Sequence, residues 1–354
     1  MKKKEKYSQN VLNILTAFKC KGIGEKTIRK LYTRPFSCDE WRTIVLDFAQ
    51  KYSVKFDFDI EMEKIAEILD GQSDINYTAL YDEDFPICRT STALKEFPVF
   101  LAYQGNLKLL LPNSFNIAVI GLLEPSSEII EMERAIVAGI LESDAVIVSG
   151  LALGCDSIAH ECVSEIHSTI AVLPSPLHDI LPKKNKELAK DILINKNGLL
   201  LSEYYEDAKD HYEQNARYIE RDRLQAIFSD MVVLTASYSE KDSKNDKKKD
   251  SGSRHAMNKA KEYGIKRAVM YEEAYFNDEK FNLNRELMHT NGITNFNVNA
   301  IESFNKTSQS RDFKVLTRTN TSYIIKRLKE WKEKSQISVQ KPKTMEQSIM
   351  DFGD

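Results

Sequence analysis

The sequence predicts an α/β protein with a doubly wound, mostly parallel sheet and a small helical domain ahead of it, on three observations. Residues 117–120 (IAVI) and 145–148 (AVIV) are apolar, β-branched runs too short for buried helices and soon followed by glycine, so both read as parallel strands covered on both faces. Between them Ile129, Ile130, Ala135, Ile136, Ile140 and Leu141 recur at helical spacing, which completes a βαβ unit. Further short apolar runs at 169–173, 199–201, 231–235 and 267–270 alternate with helical stretches at 185–193, 218–228 and 254–263. That alternation is the pattern of a Rossmann-like sheet, whose ligands gather outside the carboxyl ends of the strands.

Taken in order, residues 1–75 read as helical. Val11, Leu12, Ile14, Leu15 and Phe18 form one apolar face, Lys21-Gly22-Ile23-Gly24 interrupts it, and Ile28 and Leu31 resume it. Helix, Gly-x-Gly turn and helix make a helix-hairpin-helix pattern, in which Gly22 and Gly24 bare their amides to a DNA phosphate beside Lys26. A plain helical-bundle turn with a solvated basic face fits the same residues. The sheet's core is expected to lie wholly beyond this domain, so a chain starting near Tyr77 is expected to fold.

Residues 76–305 form the Rossmann-like core. Within it residues 237–250 (SYSEKDSKNDKKKD) read as a mobile surface loop, or as a lysine-bearing cover for the strand ends. Residues 306–335 read as a basic helical extension with Ile324, Ile325, Leu328 and Trp331 on one side, and 336–354 as a disordered polar tail.

The composition, 42% hydrophobic and 29% charged over 354 residues, suits a soluble chain of two or three domains. No apolar run approaches a membrane span, and a cytoplasmic location is expected. The five cysteines are scattered without a C-x-x-C pair, which gives no metal site. The net charge of -3 hides strong segregation: residues 1–34 carry +8, residues 302–343 carry +7 and the last eleven carry -3, leaving -15 on the rest. A polyanion site on such a core has to be a local basic pocket helped by basic flanks.

The candidate site follows from the strand ends. Gly121, the loop with Ser149, Gly150 and Gly154, and Gly252 with Ser251 and Ser253 converge there, and glycine amides at helix starts attract anions. An ordinary tight strand-to-helix turn remains the competing reading. Arg221 and Arg223 are the expected fixed cations, with Lys183 and Lys184 as a basic stretch or a solvated helix start. Asp156 and His160, four apart, read as a structural pair that pins a loop rather than as acid-base machinery. Neither a Walker loop nor a cofactor motif is present, and no enzymatic activity is expected.

Residues 149–160, SGLALGCDSIAH, closely resemble the S-G-L-A-x-G-I-D-x-x-A-H signature of the DNA-processing protein A (DprA, or Smf) family. Other landmarks follow in order at 181–188 (LPKKNKEL), 201–203 (LSE), 221–224 (RDRL) and 251–253 (SGS), so the resemblance covers about residues 80–305. It implies a phosphate-holding pocket for single-stranded DNA, a homodimer, protection of DNA and delivery of a RecA-type recombinase. Two departures stand out: Gly121-Leu122-Leu123 replaces the family's Gly-Ser-Arg, and the connection at 237–250 is longer. The alternative is a nucleotide-sensing or nucleotide-cleaving module using the same pocket, although the P-G-G-x-G-T-x-x-E loop of related phosphoribohydrolases is absent. Near the C-terminus Gln347, Met350 and Phe352 resemble the Q-x-x-L-x-F peptide that docks on the sliding clamp; chance, or folding back onto the body, is the other reading.

Overall fold

The computed structural model describes residues 6–246, 249, 252–275, 277–307 and 312–339, with the side chains of 336–339 excepted. Four helices, α1 (Gln9–Lys19), α2 (Glu25–Leu31), α3 (Cys38–Lys51) and α4 (Phe58–Asp70), precede the sheet. Strands β1 (Asn76–Ala79), β2 (Phe100–Gly105) and β3 (Asn116–Ile120) follow. Helices and strands then alternate as α5 (Ser127–Leu141), β4 (Val146–Ser149), α6 (Cys155–Glu161), β5 (Thr169–Leu173), α7 (Lys186–Ile194), β6 (Leu199–Ser202), α8 (His211–Ile227) and β7 (Met231–Leu234). The chain closes with α9 (Glu240–Asn245), α10 (Ser253–Glu262), β8 (Lys266–Met270), α11 (Asn282–Thr290), α12 (Val298–Lys306), β9 (Phe313–Leu316) and α13 (Thr321–Val339).

The nine strands form one sheet in the order β1-β2-β6-β5-β4-β3-β7-β8-β9. From β6 to β9 all neighbours are parallel, and β1 and β2 add an antiparallel edge. From β3 the chain steps one way to β4 and returns on its other side as β7. The crevice outside the carboxyl ends of β3 and β7 is therefore the topological switch point.

Two-faced burial explains the strand sequences. Ala118 and Ile120 pack with Leu224 and Ile227 of α8 and Met257 of α10, whereas Ile117 and Val119 pack with Ile129, Met132 and Ile136 of α5. Each such large side chain, fully buried, stabilises the fold by about 1.5–3 kcal/mol. On the α5 side, Ile324, Ile325 and Leu328 of α13 join the same layer, so the basic helix is packed on the sheet.

Three strands escape the periodicity reading. β1 and β2 are antiparallel edge strands that a purely parallel pattern has no place for, and β9 is only four residues long in the segment read as a helical extension. The segment 237–250 is partly regular: Ser239 and Asp242 make a capping box that starts α9. The N-terminal helices also share their core with the sheet, since Ile14, Leu15, Trp41 and Leu69 lie in one apolar cluster with Phe100, Leu173 and Leu200. The sheet's core thus does not lie wholly beyond residue 76. No helix of the described residues is long and apolar enough to cross a membrane.

Candidate functional site

A pocket of about 540 Å³ opens at the switch point, within the range of small-ligand sites. The end of β3 supplies Gly121 and Leu123, the loop after β4 supplies Ala152 and Leu153, α8 supplies Ile219, Arg221 and Gln225, and the start of α10 supplies Gly252 and Ser253. Glycine is required where backbones approach. A Cβ on Gly121 would lie 2.1 Å from Thr235 Oγ1, and one on Gly154, at φ +74°, would lie 2.3 Å from the Leu122 carbonyl oxygen. Ser253 Oγ donates to the Gly121 carbonyl at 3.0 Å, tying the start of α10 to the end of β3.

The loop after β4 is held by its own side chains. Ser149 Oγ donates to the Val119 carbonyl at 2.6 Å, and Leu151 takes φ +57°, a left-handed conformation that costs a leucine about 1–2 kcal/mol. Asp156 Oδ2 accepts from the amides of Gly150 at 3.1 Å and Ala152 at 3.3 Å. The anion at these amides is therefore the protein's own carboxylate, and the bare-amide expectation for Gly150 is corrected. Burial pushes the Asp156 carboxyl above its ordinary range, while Arg221 and the loop amides pull it back. From behind, Asn185 Nδ2 donates to the Leu151 carbonyl at 2.8 Å and to Ser157 Oγ at 2.9 Å.

Arg221 is the cation of the pocket. A Cβ on Gly150 would stand only 1.2 Å from an Arg221 terminal nitrogen, so the absence of a side chain makes the slot in which the guanidinium lies. Its nearest carboxylates are Asp222 at 3.5 Å and Asp156 at 3.6 Å. Two of its nitrogens, and Gln225 Oε1 beside it, are buried with no hydrogen-bond partner among the described residues. Unsatisfied buried polar groups are costly and are what an incoming ligand's polar atoms relieve.

The other expected residues fall elsewhere. Arg223 makes a bidentate pair with Glu203, both contacts 2.6 Å, donates to the Glu96 carbonyl at 3.1 Å and lies 3.5 Å from Glu25 of α2. Lys183 and Lys184 are exposed on a 3₁₀ turn, while their neighbour Pro182 lines the pocket. Gly22, at φ +90° against the Tyr52 ring, and Gly24, the N-cap of α2, lie on an exposed turn with Lys26 exposed beside them. Ser251, Gln347, Met350 and Phe352 lie outside the described residues.

His160 sits away from any reactive position. Thr169 Oγ1 donates to the Ile147 carbonyl at 3.0 Å, so it accepts from His160 Nδ1–H at 2.7 Å, which fixes the tautomer. Burial first, then the charges of Lys196 and Arg221, push its pKa down to about 3. It is a neutral core histidine. Pocket residues that sequence reasoning missed include Tyr218, Ile219, Asp222, Gln225 and His255. Their signal was legible on α8, where 218, 221, 222 and 225 share one helical face.

Comparison with known proteins gives consistent results. The chain is 40% identical over 109 residues to DNA processing protein DprA of Streptococcus pneumoniae, covering 30% of this chain and 36% of that one. It is 28% identical over 139 residues to Protein Smf of Borreliella burgdorferi, covering 39% of this chain and 42% of that one. The matched stretches thus span about two fifths of these relatives' length. Among solved structures, the X-ray structure of DprA from Streptococcus pneumoniae superposes with a TM-score of 0.57 at 21% identity, over 89% of this chain and 92% of that one, and shares the fold. The Helicobacter pylori DNA processing protein A, whose structure concerns its single-stranded DNA binding mode, gives a TM-score of 0.48 at 28% identity over 64% of this chain and 95% of that one. With the family model for DNA recombination-mediator protein A matching residues 76–301, well over half of its length, the chain belongs to that family, also known as DprA or Smf.

Proposed function

We propose that this protein binds single-stranded DNA, taking one nucleotide of the strand into the pocket between β3 and β7, and that it protects the strand and hands it to a RecA-type recombinase as a homodimer. The observation that carries the reading is Arg221: a buried guanidinium, only loosely ion-paired, with two nitrogens that make no hydrogen bond among the described residues, in a pocket lined by Leu123, Leu153 and Ile219. Apolar walls suit the faces of an unstacked base, and a guanidinium suits its edge or the adjoining phosphate. A duplex keeps its bases stacked and offers the pocket none. The acidic core works against long-range attraction of DNA, so phosphates outside the pocket fall to the exposed Lys183 and Lys184 and to the Gly22–Gly24 turn with Lys26. The tail with Gln347, Met350 and Phe352 is proposed as a clamp-docking peptide, tested by calorimetry of a peptide covering residues 343–354 against the clamp; heat that the double alanine at Gln347 and Phe352 leaves unchanged would contradict it.

Competition binding tests the main reading against the nucleotide-sensing alternative. A labelled oligothymidylate should bind at least about tenfold more tightly than the corresponding mononucleotide, because only the strand makes several phosphate contacts. Equal competition by the mononucleotide would favour the nucleotide module.

A further inference from the structure

On α8, Leu224, Ala226, Ile227 and Phe228 are buried and apolar, as a helix packed on a sheet requires, yet Gln225 among them is only 2% exposed. It lines the switch-point pocket one helical turn after Arg221, so the two side chains share a face there. Its amide nitrogen donates to Asp222 Oδ1 at 3.4 Å, which fixes the oxygen as the other end of the amide. That oxygen, Oε1, is buried without a hydrogen bond among the described residues. A leucine of similar volume would fill the space with no unmet acceptor, so the glutamine costs the fold stability unless a ligand meets it.

We propose, on the single-strand reading of this pocket, that Gln225 Oε1 and the Arg221 guanidinium together hold the pairing edge of one nucleobase. The base donates an N–H to Gln225 and accepts from Arg221.

Hydrogen-bonding character separates base from phosphate. Arg221 can only donate, and its Nε and Nη1 make no hydrogen bond among the described residues; Gln225 Oε1 can only accept. A phosphodiester offers acceptors alone, so it would satisfy Arg221 and turn an unprotonated oxygen toward Gln225. The pairing edge of a base carries an N–H beside an acceptor, N3–H beside O4 in thymine, and answers both side chains at once. Every other base also sets an N–H next to an acceptor, so the contact carries little sequence preference.

The surroundings suit a base edge. Leu123, Leu153 and Ile219 give apolar lining for the faces of a flat ring, and a pocket of about 540 Å³ admits one. A single carboxylate oxygen positions both recognition groups: Asp222 Oδ1 lies 3.5 Å from Arg221 Nε and 3.4 Å from the Gln225 amide nitrogen. Gly150 completes the arrangement, since any side chain there would occupy the place of an Arg221 terminal nitrogen.

Methylation at thymine N3 removes the donated proton and leaves the phosphates and their charge in place. In the full chain, oligothymidylate should bind at least about tenfold more tightly than an N3-methylthymidine strand of equal length, measured by fluorescence anisotropy, for the loss of one buried hydrogen bond. The salt slope should be the same for both strands, because their phosphate contacts are the same. Gln225→Leu should bind both strands alike, at about the affinity of the methylated one. Gln225→Met, unbranched like glutamine and also without an acceptor, serves if the leucine variant does not fold. Equal binding of the two strands by the native protein would overturn the base-edge contact and leave the pocket reading standing. A preference that survives in Gln225→Leu would overturn it as well, by placing the methyl clash elsewhere, and a shallower salt slope for the methylated strand would give Arg221 to a phosphate instead. Absence of binding to either strand would overturn this contact and the proposed function together.

Discussion

Arg221 and Arg223 stand two residues apart on α8, and the helix sends them to different surroundings. Arg221 lies in the slot beside Gly150, its nearest carboxylates 3.5–3.6 Å away and two of its nitrogens without a hydrogen bond among the described residues. Arg223 is saturated by Glu203, the Glu96 carbonyl and Glu25, and so couples α8 to the sheet end and to the N-terminal helices. One motif thus divides into a side proposed to meet the ligand and an architectural side, and the difference is set by helix geometry: residues two apart do not share a face. A cation left incompletely paired in a pocket is available to a phosphate or base; one closed by a bidentate carboxylate is not.

The largest expected effect lies on the architectural side. Arg223→Ala leaves the buried Glu203 carboxylate without its partner and should cost about 3–5 kcal/mol of stability, measured by urea denaturation. A loss under about 1 kcal/mol would mean that the two arginines do not differ as described.

The next test concerns pH on the Arg221 side. His160 is held neutral with a pKa of about 3 in the fold, below the ordinary value of 6.5. Between those values the unfolded chain binds the extra proton, so stability should fall as pH drops from about 6.5 toward 3, by at most about 1.4 kcal/mol per unit. The variant His160→Gln should flatten that slope. An unchanged slope would assign the acid sensitivity to other groups.

A smaller effect sharpens the comparison from the ligand side. Leu123 is 47% exposed at the pocket rim, where the Gly-Ser-Arg pattern of the resemblance would place arginine. Leu123→Arg should strengthen single-strand binding and steepen its dependence on the logarithm of salt concentration by about 0.7, one added phosphate contact. No change in slope would show that DNA does not pass this rim.

Much of the sheet was legible because strands buried on both faces have to be apolar throughout, as residues 117–120 and 231–234 are. What stayed hidden was set by partners distant in sequence. β9 gains its place only by pairing with β8, and the shared core of Trp41 and Leu200 follows from packing rather than from either segment's pattern. At the site, glycines and Arg221 were readable from their types and positions. That Asp156 would fill the loop amides was not readable in that detail, because a carboxylate at the second position of a short helix serves a ligand and a loop equally well until its distances are known. The same limit applied to Arg223: nothing in its neighbours along the chain points to Glu203, twenty residues away.

The central claim is that Arg221, and not Arg223, holds DNA. The most direct measurement is the salt dependence of oligothymidylate binding, followed by fluorescence anisotropy, in the native protein, Arg221→Lys and Arg223→Lys, each confirmed as folded by circular dichroism. Arg221→Lys keeps the charge but loses the planar fork, so affinity should fall by about tenfold; Arg223→Lys should bind like the native protein. Native binding by Arg221→Lys together with weakened binding by Arg223→Lys would contradict the account.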